Sequence, residues 1–257
     1  MAIGAARRYE RTGDVRYRIV AMCFWERTAL ARSYVNGGSS GPRPDGAGKS
    51  KGGEHWPEPF KLAGTLTPKI NESCVTHNMM RLTDRLFRWT GDGRYADFYE
   101  RAYFNSVLCM QHPDEIGAYI YDHPLGSHSR KTFGHAEDTF WCCYGTSVEA
   151  FSRLAQGIYY YEDADDGDAL RVNMWVASEV VWKRKRLRVQ QKTNFPTDDA
   201  VRLVFHSDRP VDLTVHLRSP RWTRPNVDPS WLKTRPKTPS SGASDQLSSG
   251  PRCLVAG

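Results

Sequence analysis

A chain of 257 residues that is 39% hydrophobic is long enough to bury the core of one large or two small domains. It holds no apolar run near the roughly 20 residues that a bilayer span requires, and its start, MAIGAARRYERTG, lacks a signal peptide's apolar segment. No membrane partner is expected, and six clustered cysteines, too few for a disulfide scaffold, suit a reducing, cytoplasmic setting. The net charge of +7 invites a nucleic-acid partner, but the densest basic run, Lys183-Arg184-Lys185-Arg186, lies in an alternating pattern whose charges suit the wet face and turn of a strand pair. No nucleic-acid module accompanies it, so none is expected to bind.

The opening words Arg11-Thr12-Gly13-Asp14-Val15-Arg16-Tyr17 precede helical spacing through Val20, Ala21, Phe24, Trp25 and Thr28. Thr90-Gly91-Asp92-Gly93-Arg94-Tyr95 repeats them at an offset of 90 − 12 = 78 residues, followed by Phe98, Tyr99, Ala102 and Tyr103. In each copy a helix ends at the glycine, the aspartate caps the next helix and the tyrosine begins its buried face. Repeated αα-hairpins at this period predict a helical toroid, in which each pair buries its inner face only against its neighbours. Between the copies, residues 36–53 (NGGSSGPRPDGAGKSKGG) have almost nothing to bury and are predicted to form a mobile loop. In Gly53-Glu54-His55-Trp56, which follows, a carboxylate stands beside a large ring; burial there would raise its pKa as a general acid requires, the alternative being an ordinary surface glutamate.

A second helix pattern opens at Asn71-Glu72-Ser73-Cys74 and continues through Val75, Met79, Leu82, Leu86 and Trp89, with Asn71 as the expected cap. Glu72 and Cys74, two apart, can face one ion together only where the helix is just starting. After the second hairpin, Gly117–Asp122 (GAYIYD) alternates like a short strand leading into His123, and Tyr121 and His123 could face a cavity, although isolated residues of these types are more often structural. The stretch EDTFWCCYGTSVE, residues 137–149, sets two adjacent cysteines before Thr146 and Glu149, which have the spacing of a capping box. A helix is therefore predicted to begin at Thr146, with Cys142 and Cys143 just ahead of its positive end, a position that favours thiolates. One carboxylate and three thiolates suit zinc, which takes sulfur readily and accepts four ligands. On spacing alone, buried core thiols or a strained Cys142–Cys143 disulfide remain as alternatives. His77, His112, His128 and His135 have no ligand spacing.

From Gly157 the period changes to two: GIYYYE, ALRVNMWV, EVVWKRKRLRVQ, AVRLVF and VDLTVHL read as successive strands of an antiparallel sandwich. After Trp222 few residues could join a core, so residues 223–257 are predicted to be a disordered tail carrying Cys253 as a free thiol. The fold expected is thus α+β and multidomain, with a partial helical toroid over 1–156 and partial β-sandwich strands over 157–222.

Together, Gly53-Glu54-His55-Trp56, Asn71-Glu72-Ser73-Cys74 with the following Thr76-His77-Asn78-Met79, and Phe140-Trp141-Cys142-Cys143-Tyr144-Gly145-Thr146 resemble the β-L-arabinofuranosidases of glycoside hydrolase family 127. The resemblance runs from about Arg8 to about Trp222 and implies an (α/α)6 barrel followed by β-sandwich domains. It implies hydrolysis of β-L-arabinofuranoside oligosaccharides or glycoconjugates with retention of configuration. It matches Glu72, Cys74, Cys142 and Cys143 to the ligands of one Zn2+, Cys142 also to the nucleophile, Glu54 to the general acid/base, and Tyr121 to a sugar contact; His123 is a substrate-binding candidate from its place beside the strand alone.

The chain departs from the family pattern in beginning about where the barrel is half finished, without the half that carries sugar-binding histidines, and in its tail. Apolar helix faces left open this way suit a homodimer. The competing reading is a non-catalytic zinc-binding remnant acting as an interaction module. A sugar epimerase on a related toroid is weaker, because the paired histidines of such enzymes have no counterpart here.

Overall fold

The computed structural model describes residues 1–42, 54–162 and 167–223. The predicted loop beyond Pro42, Gly53 of the GEHW motif, and the predicted tail with Cys253 lie outside the described residues, except that the tail's first residue, Thr223, is described.

The 78-residue repeat is built as the sequence predicts. Helix α1 (Ala2–Thr12) ends at Gly13 with φ 69°, and Asp14 caps helix α2 (Val15–Trp25) by accepting from the Arg16 amide at 3.0 Å. A π-helical turn, Glu26–Leu30, extends α2. Helix α3 (Ser73–Thr90) ends at Gly91 with φ 65°, and Asp92 caps helix α4 (Gly93–Asn105) through the Arg94 amide at 2.9 Å. Glycine suits both junctions because a positive φ costs it nothing. Asp92→Ala is expected to cost about 1 kcal/mol, the usual loss of an N-cap, measured in urea melts.

The two hairpins pack side by side. Tyr9 of α1 meets Trp89 of α3 edge-on at 4.8 Å, and Glu10 takes the Arg85 guanidinium. Trp25 is fully buried between Tyr95 and Phe98, its indole N–H donating to Thr83 Oγ1 at 2.7 Å. Helix α5 (Cys142–Ser152) lies against α3. On α2, Val15, Ile19 and Val20 stay exposed. No helix among the described residues is long and apolar enough to cross a membrane.

The predicted mobile loop is corrected over its described part. Asn36, Ser39 and Ser40 are buried, because glycines let the backbone approach where side chains could not. A Cβ on Gly37 would stand 2.8 Å from that of Ala102, and one on Gly38 2.5 Å from Asn71 Oδ1.

Among the described residues six strands follow: β1 (Tyr159–Glu162), β2 (Ala169–Val172), β3 (Ser178–Trp182), β4 (Leu187–Thr193), β5 (Val201–Ser207) and β6 (Thr214–Leu217). They form two three-stranded sheets, β1-β2-β6 and β3-β4-β5, with Leu170, Trp182, Leu187 and Val189 in a shared core. The second sheet is antiparallel as predicted, but β6 runs parallel to β2, correcting the all-antiparallel expectation. Strand β6 reaches β2 from the far sheet rather than from a hairpin, so its direction is free of the local turn. The basic run forms the β3–β4 connection, where Lys185 pairs with Asp168 and Arg186 with Asp208 at 2.9 Å. The segment GAYIYD makes isolated bridges, Gln111 with Tyr119, Ile120 with Phe133 and Asp122 with Glu72, instead of a continuous strand.

Sheet and helices are tied by Arg218, just after β6. Its side chain, 10% exposed, pairs with Asp97 at 2.7 Å and Glu100 at 2.5 Å on α4, and Trp222 donates to Glu100 at 2.8 Å.

Candidate active site

Two helix entrances, those of α3 and α5, and the loop segments around Ser40 and Tyr121 meet at the cysteines. Glu72, not Asn71, is the N-cap of α3, so Cys74 is its second residue. Asn71 instead takes φ 59°, its amide donating to Ser40 O at 2.9 Å and its carbonyl accepting from the His123 amide at 3.1 Å. Ser40 Oγ accepts from the Glu72 amide at 2.9 Å, and the Ser73 amide donates to Tyr121 O at 2.9 Å. The glycine- and serine-rich segment before Gly41 thus fixes the turn that presents Glu72 and Cys74.

Helix α5 starts earlier than predicted. Trp141 is its N-cap, with no side-chain capping bond, and Cys142 and Cys143 are its first two residues. Thr146 lies within the helix, its hydroxyl donating to Cys142 O at 2.7 Å, a bond a mid-helix threonine commonly makes to the preceding turn. Glu149, the other half of the predicted capping box, pairs with Arg153 at 3.1 Å, with Arg81 at 3.5 Å and with His77 at 3.7 Å. The cysteines therefore stand among the free N–H groups of the helix's first turn rather than ahead of it.

The Sγ atoms of Cys74, Cys142 and Cys143 all lie within 4.8 Å of one another. The Cys142 and Cys143 sulfurs are 3.9 Å apart and both cysteines are free, so no vicinal disulfide forms. Tetrahedral zinc at about 2.3 Å from each sulfur would hold neighbouring sulfurs about 3.8 Å apart, so this donor set fits the metal with small adjustment. Cys143 is fully buried, Cys74 partly so, and Cys142 is exposed. Cys74 and Cys143 share a hydrogen bond that pushes the Cys74 thiol up and brings Cys143 down to about 7. One proton held between two sulfurs is the arrangement a cation would displace.

Glu72, 8% exposed, stands beside this trio rather than within it. Burial pushes its carboxyl up, a hydrogen bond with Tyr121 lowers it, and the Glu54 charge raises it again. The Tyr121 hydroxyl also lies 3.5 Å from Cys142 Sγ, and bonding to the cysteine, burial and Glu72 all push its ionisation up. Tyr121 thus bridges the carboxylate to the exposed sulfur. Asp122 is held at about 6 by burial and by the Glu72 and Glu54 charges. The sequence reading missed Asp122; its only signal was a carboxylate beside Tyr121.

Glu54 is exposed. Of the two sequence alternatives this is the surface glutamate: the Trp56 ring packs on Phe24 at 5.2 Å and under the Arg32 guanidinium at 5.1 Å. The neighbouring His55 pairs with Gly41 through two backbone bonds, and from there the charge of Glu54 raises the pKa of Glu72 and of Asp122.

His123 is 4% exposed, with Nε2 at 2.9 Å from Ser106 Oγ, the structural role that the sequence offered as the commoner one. Burial, with the Lys131 charge, holds its pKa down at about 3 against an ordinary 6.5. Between those values the unfolded chain binds a proton that the folded one refuses, so this term is neutral above about pH 6.5 and destabilises as pH falls toward 3. Unfolding free energy is expected to drop by up to about 1.4 kcal/mol per pH unit in that window, with a shallower slope in His123→Gln, read from urea melts at stepped pH.

Comparison with curated proteins returns no match. Residues 1–156 match the family model for the β-L-arabinofuranosidase GH127 catalytic domain, and residues 169–238 match that for the GH127 middle domain. Among solved structures, a GH127 β-L-arabinofuranosidase from Geobacillus stearothermophilus T6 is similar with a TM-score of 0.65 and 24% identity, over 87% of this chain and 35% of that one. A second structure, described as a glycoside hydrolase, has a TM-score of 0.66 and 22% identity, over 86% of this chain and 39% of the other. The chain therefore spans under two fifths of either protein, and at these identities the likeness is one of fold. The catalytic-domain model matches more than half of its residues, and the chain belongs to glycoside hydrolase family 127.

Proposed function

We propose that the chain carries the catalytic centre of a retaining glycoside hydrolase that releases L-arabinose from non-reducing-end β-L-arabinofuranosides, its helical hairpins forming part of an (α/α)6 toroid. The observation that carries this reading is the meeting of Cys74, Cys142 and Cys143 beside Glu72 and Tyr121, with the charge of Glu54 felt at the same place. Cys74, Cys142, Cys143 and Glu72 would hold one Zn2+, which when bound favours ionised sulfur at neutral pH. Cys142 is the nucleophile because it alone of the three sulfurs belongs to an exposed residue.

In the first step Cys142 Sγ forms a bond to the anomeric carbon as the glycosidic C–O bond breaks. Glu54 gives its proton to the departing oxygen. Tyr121, within reach of both Glu72 and Cys142, orients the sulfur. In the second step Glu54 takes a proton from water, the water oxygen attacks the anomeric carbon, and the C–S bond breaks. Two inversions give retention.

The experiment measures zinc per chain and L-arabinose release from an aryl β-L-arabinofuranoside on protein purified under reducing conditions. One zinc lost in Cys74→Ser, together with turnover, supports the proposal. A second reading, a non-catalytic zinc-binding remnant, is favoured by the exposure of Glu54. Folded, zinc-loaded protein that releases no sugar would establish it instead.

A further inference from the structure

The amides in the first turn of a helix have no acceptor in the turn before them, and those of α3 find separate partners. The Ser73 amide donates to Tyr121 O at 2.9 Å, and those of Val75 and Thr76 reach back to Glu72 O at 3.1 and 3.4 Å. The Cys74 amide goes to the Cys143 sulfur instead. One of the three converging thiols is thus held by backbone.

Ser73 stands at the same sulfur. It and Ser147 are both fully buried where α3 meets α5. Ser147 commits its hydrogen to Cys143 O at 2.7 Å. Ser73 Oγ has oxygen neighbours in Cys143 O at 3.3 Å, Ser147 Oγ at 3.3 Å and Ile120 O at 3.4 Å, all beyond the roughly 2.5–3.0 Å of an ordinary O–H···O bond. No oxygen therefore claims its hydrogen firmly, and the hydroxyl can turn to the Cys143 sulfur, whose ionised form it favours. Cys142, by contrast, is exposed and met by the Tyr121 hydroxyl at 3.5 Å. Donors around a buried thiolate offset the cost of its charge, and they also hold its electrons, so that such a sulfur serves as a ligand better than as a nucleophile.

We propose that Ser73 is a positioning residue of the metal centre, its hydroxyl donating to Cys143 Sγ so that, with the Cys74 amide, it keeps this sulfur as a permanent ligand and leaves Cys142 to react. The inference rests on the proposed zinc centre, adds a residue outside its ligand set, and does not depend on which sugar is cleaved. Protein purified under reducing conditions is loaded with Zn2+ or Co2+, and the unmodified chain is compared with Ser73→Ala and Ser147→Ala. Chelator competition should show Zn2+ held about tenfold more weakly by Ser73→Ala, the low end of the usual loss when an outer hydrogen bond is removed. The thiolate-to-cobalt charge-transfer band of the same variant should move to longer wavelength, because a sulfur without the hydrogen bond gives up its electrons more easily. Ser147→Ala removes an equally buried hydroxyl from the same pair and should change neither reading. Neither variant adds an atom to the core, and near-ultraviolet dichroism like that of the unmodified chain would show that both fold. Unchanged affinity and an unmoved band in Ser73→Ala, or the same changes in Ser147→Ala, would overturn the proposal and leave the zinc centre standing. An unmodified chain that binds neither ion would remove the centre and the proposal together.

Discussion

Under the proposed mechanism, replacing Cys142 by alanine should lower kcat/KM for an aryl β-L-arabinofuranoside by about 10⁴ or more, because a residue that forms the covalent intermediate has no substitute in water. The protein should remain folded, since Cys142 is exposed and its neighbours, Tyr121 and Cys143, keep other partners. Cys143→Ala should behave differently. That sulfur is fully buried and hydrogen-bonded to Cys74, so its loss should reduce metal content and stability along with turnover. Glu54→Gln should cost about 10²–10⁴, and less on substrates whose leaving group needs no proton. Turnover by Cys142→Ala within tenfold of the unmodified chain would remove Cys142 from the nucleophile's place.

Arg218→Ala is the substitution with the largest expected effect on stability. It would leave Glu100, buried in α4, without its cation while Asp97 loses the same partner. Stranding one side of a buried ion pair costs about 3–5 kcal/mol. The urea midpoint should fall accordingly. Arg218→Met combined with Glu100→Gln should recover part of the loss, because then no buried charge is left unpaired, although Asp97 still lacks its partner. A double variant no more stable than Arg218→Met would show that packing of the arginine stem, not charge, sets the cost.

What could be read from the sequence was whatever a few neighbouring residues decide. Thr12-Gly13-Asp14 and Thr90-Gly91-Asp92 carry their own turn geometry, and both junctions form as read. Alternation located the six strands, but the parallel β2–β6 pair depends on a partner more than 40 residues away, which no local pattern encodes. Composition misled at residues 36–41. Glycine and serine have little to bury, yet the absence of side chains is what lets that backbone press against Ala102 and Asn71. At the centre, the E-x-C and C-C pairs marked three converging sulfurs. The start of α5 was misplaced because Thr146 and Glu149, spaced like a cap, are engaged inside the helix and with α3. Between a buried and a surface Glu54 the sequence could not decide, because adjacency does not fix which neighbour the Trp56 ring packs against.

The clasp between Arg218 and Asp97 also sets an order of events during synthesis. Its two residues are 121 positions apart, so at about 5–20 residues per second a ribosome needs roughly 6–24 s to supply the second after the first. Throughout that interval α4 has been made, but the cation that neutralises its inner carboxylates has not. The hairpins can associate early through Trp25, while the α4 surface under the later sheet waits in water. A nascent chain halted after β2 but before β6 would carry both acidic groups and the uncovered edge of β2, which makes that interval, rather than the finished protein, the stage at which a chaperone has most to hold.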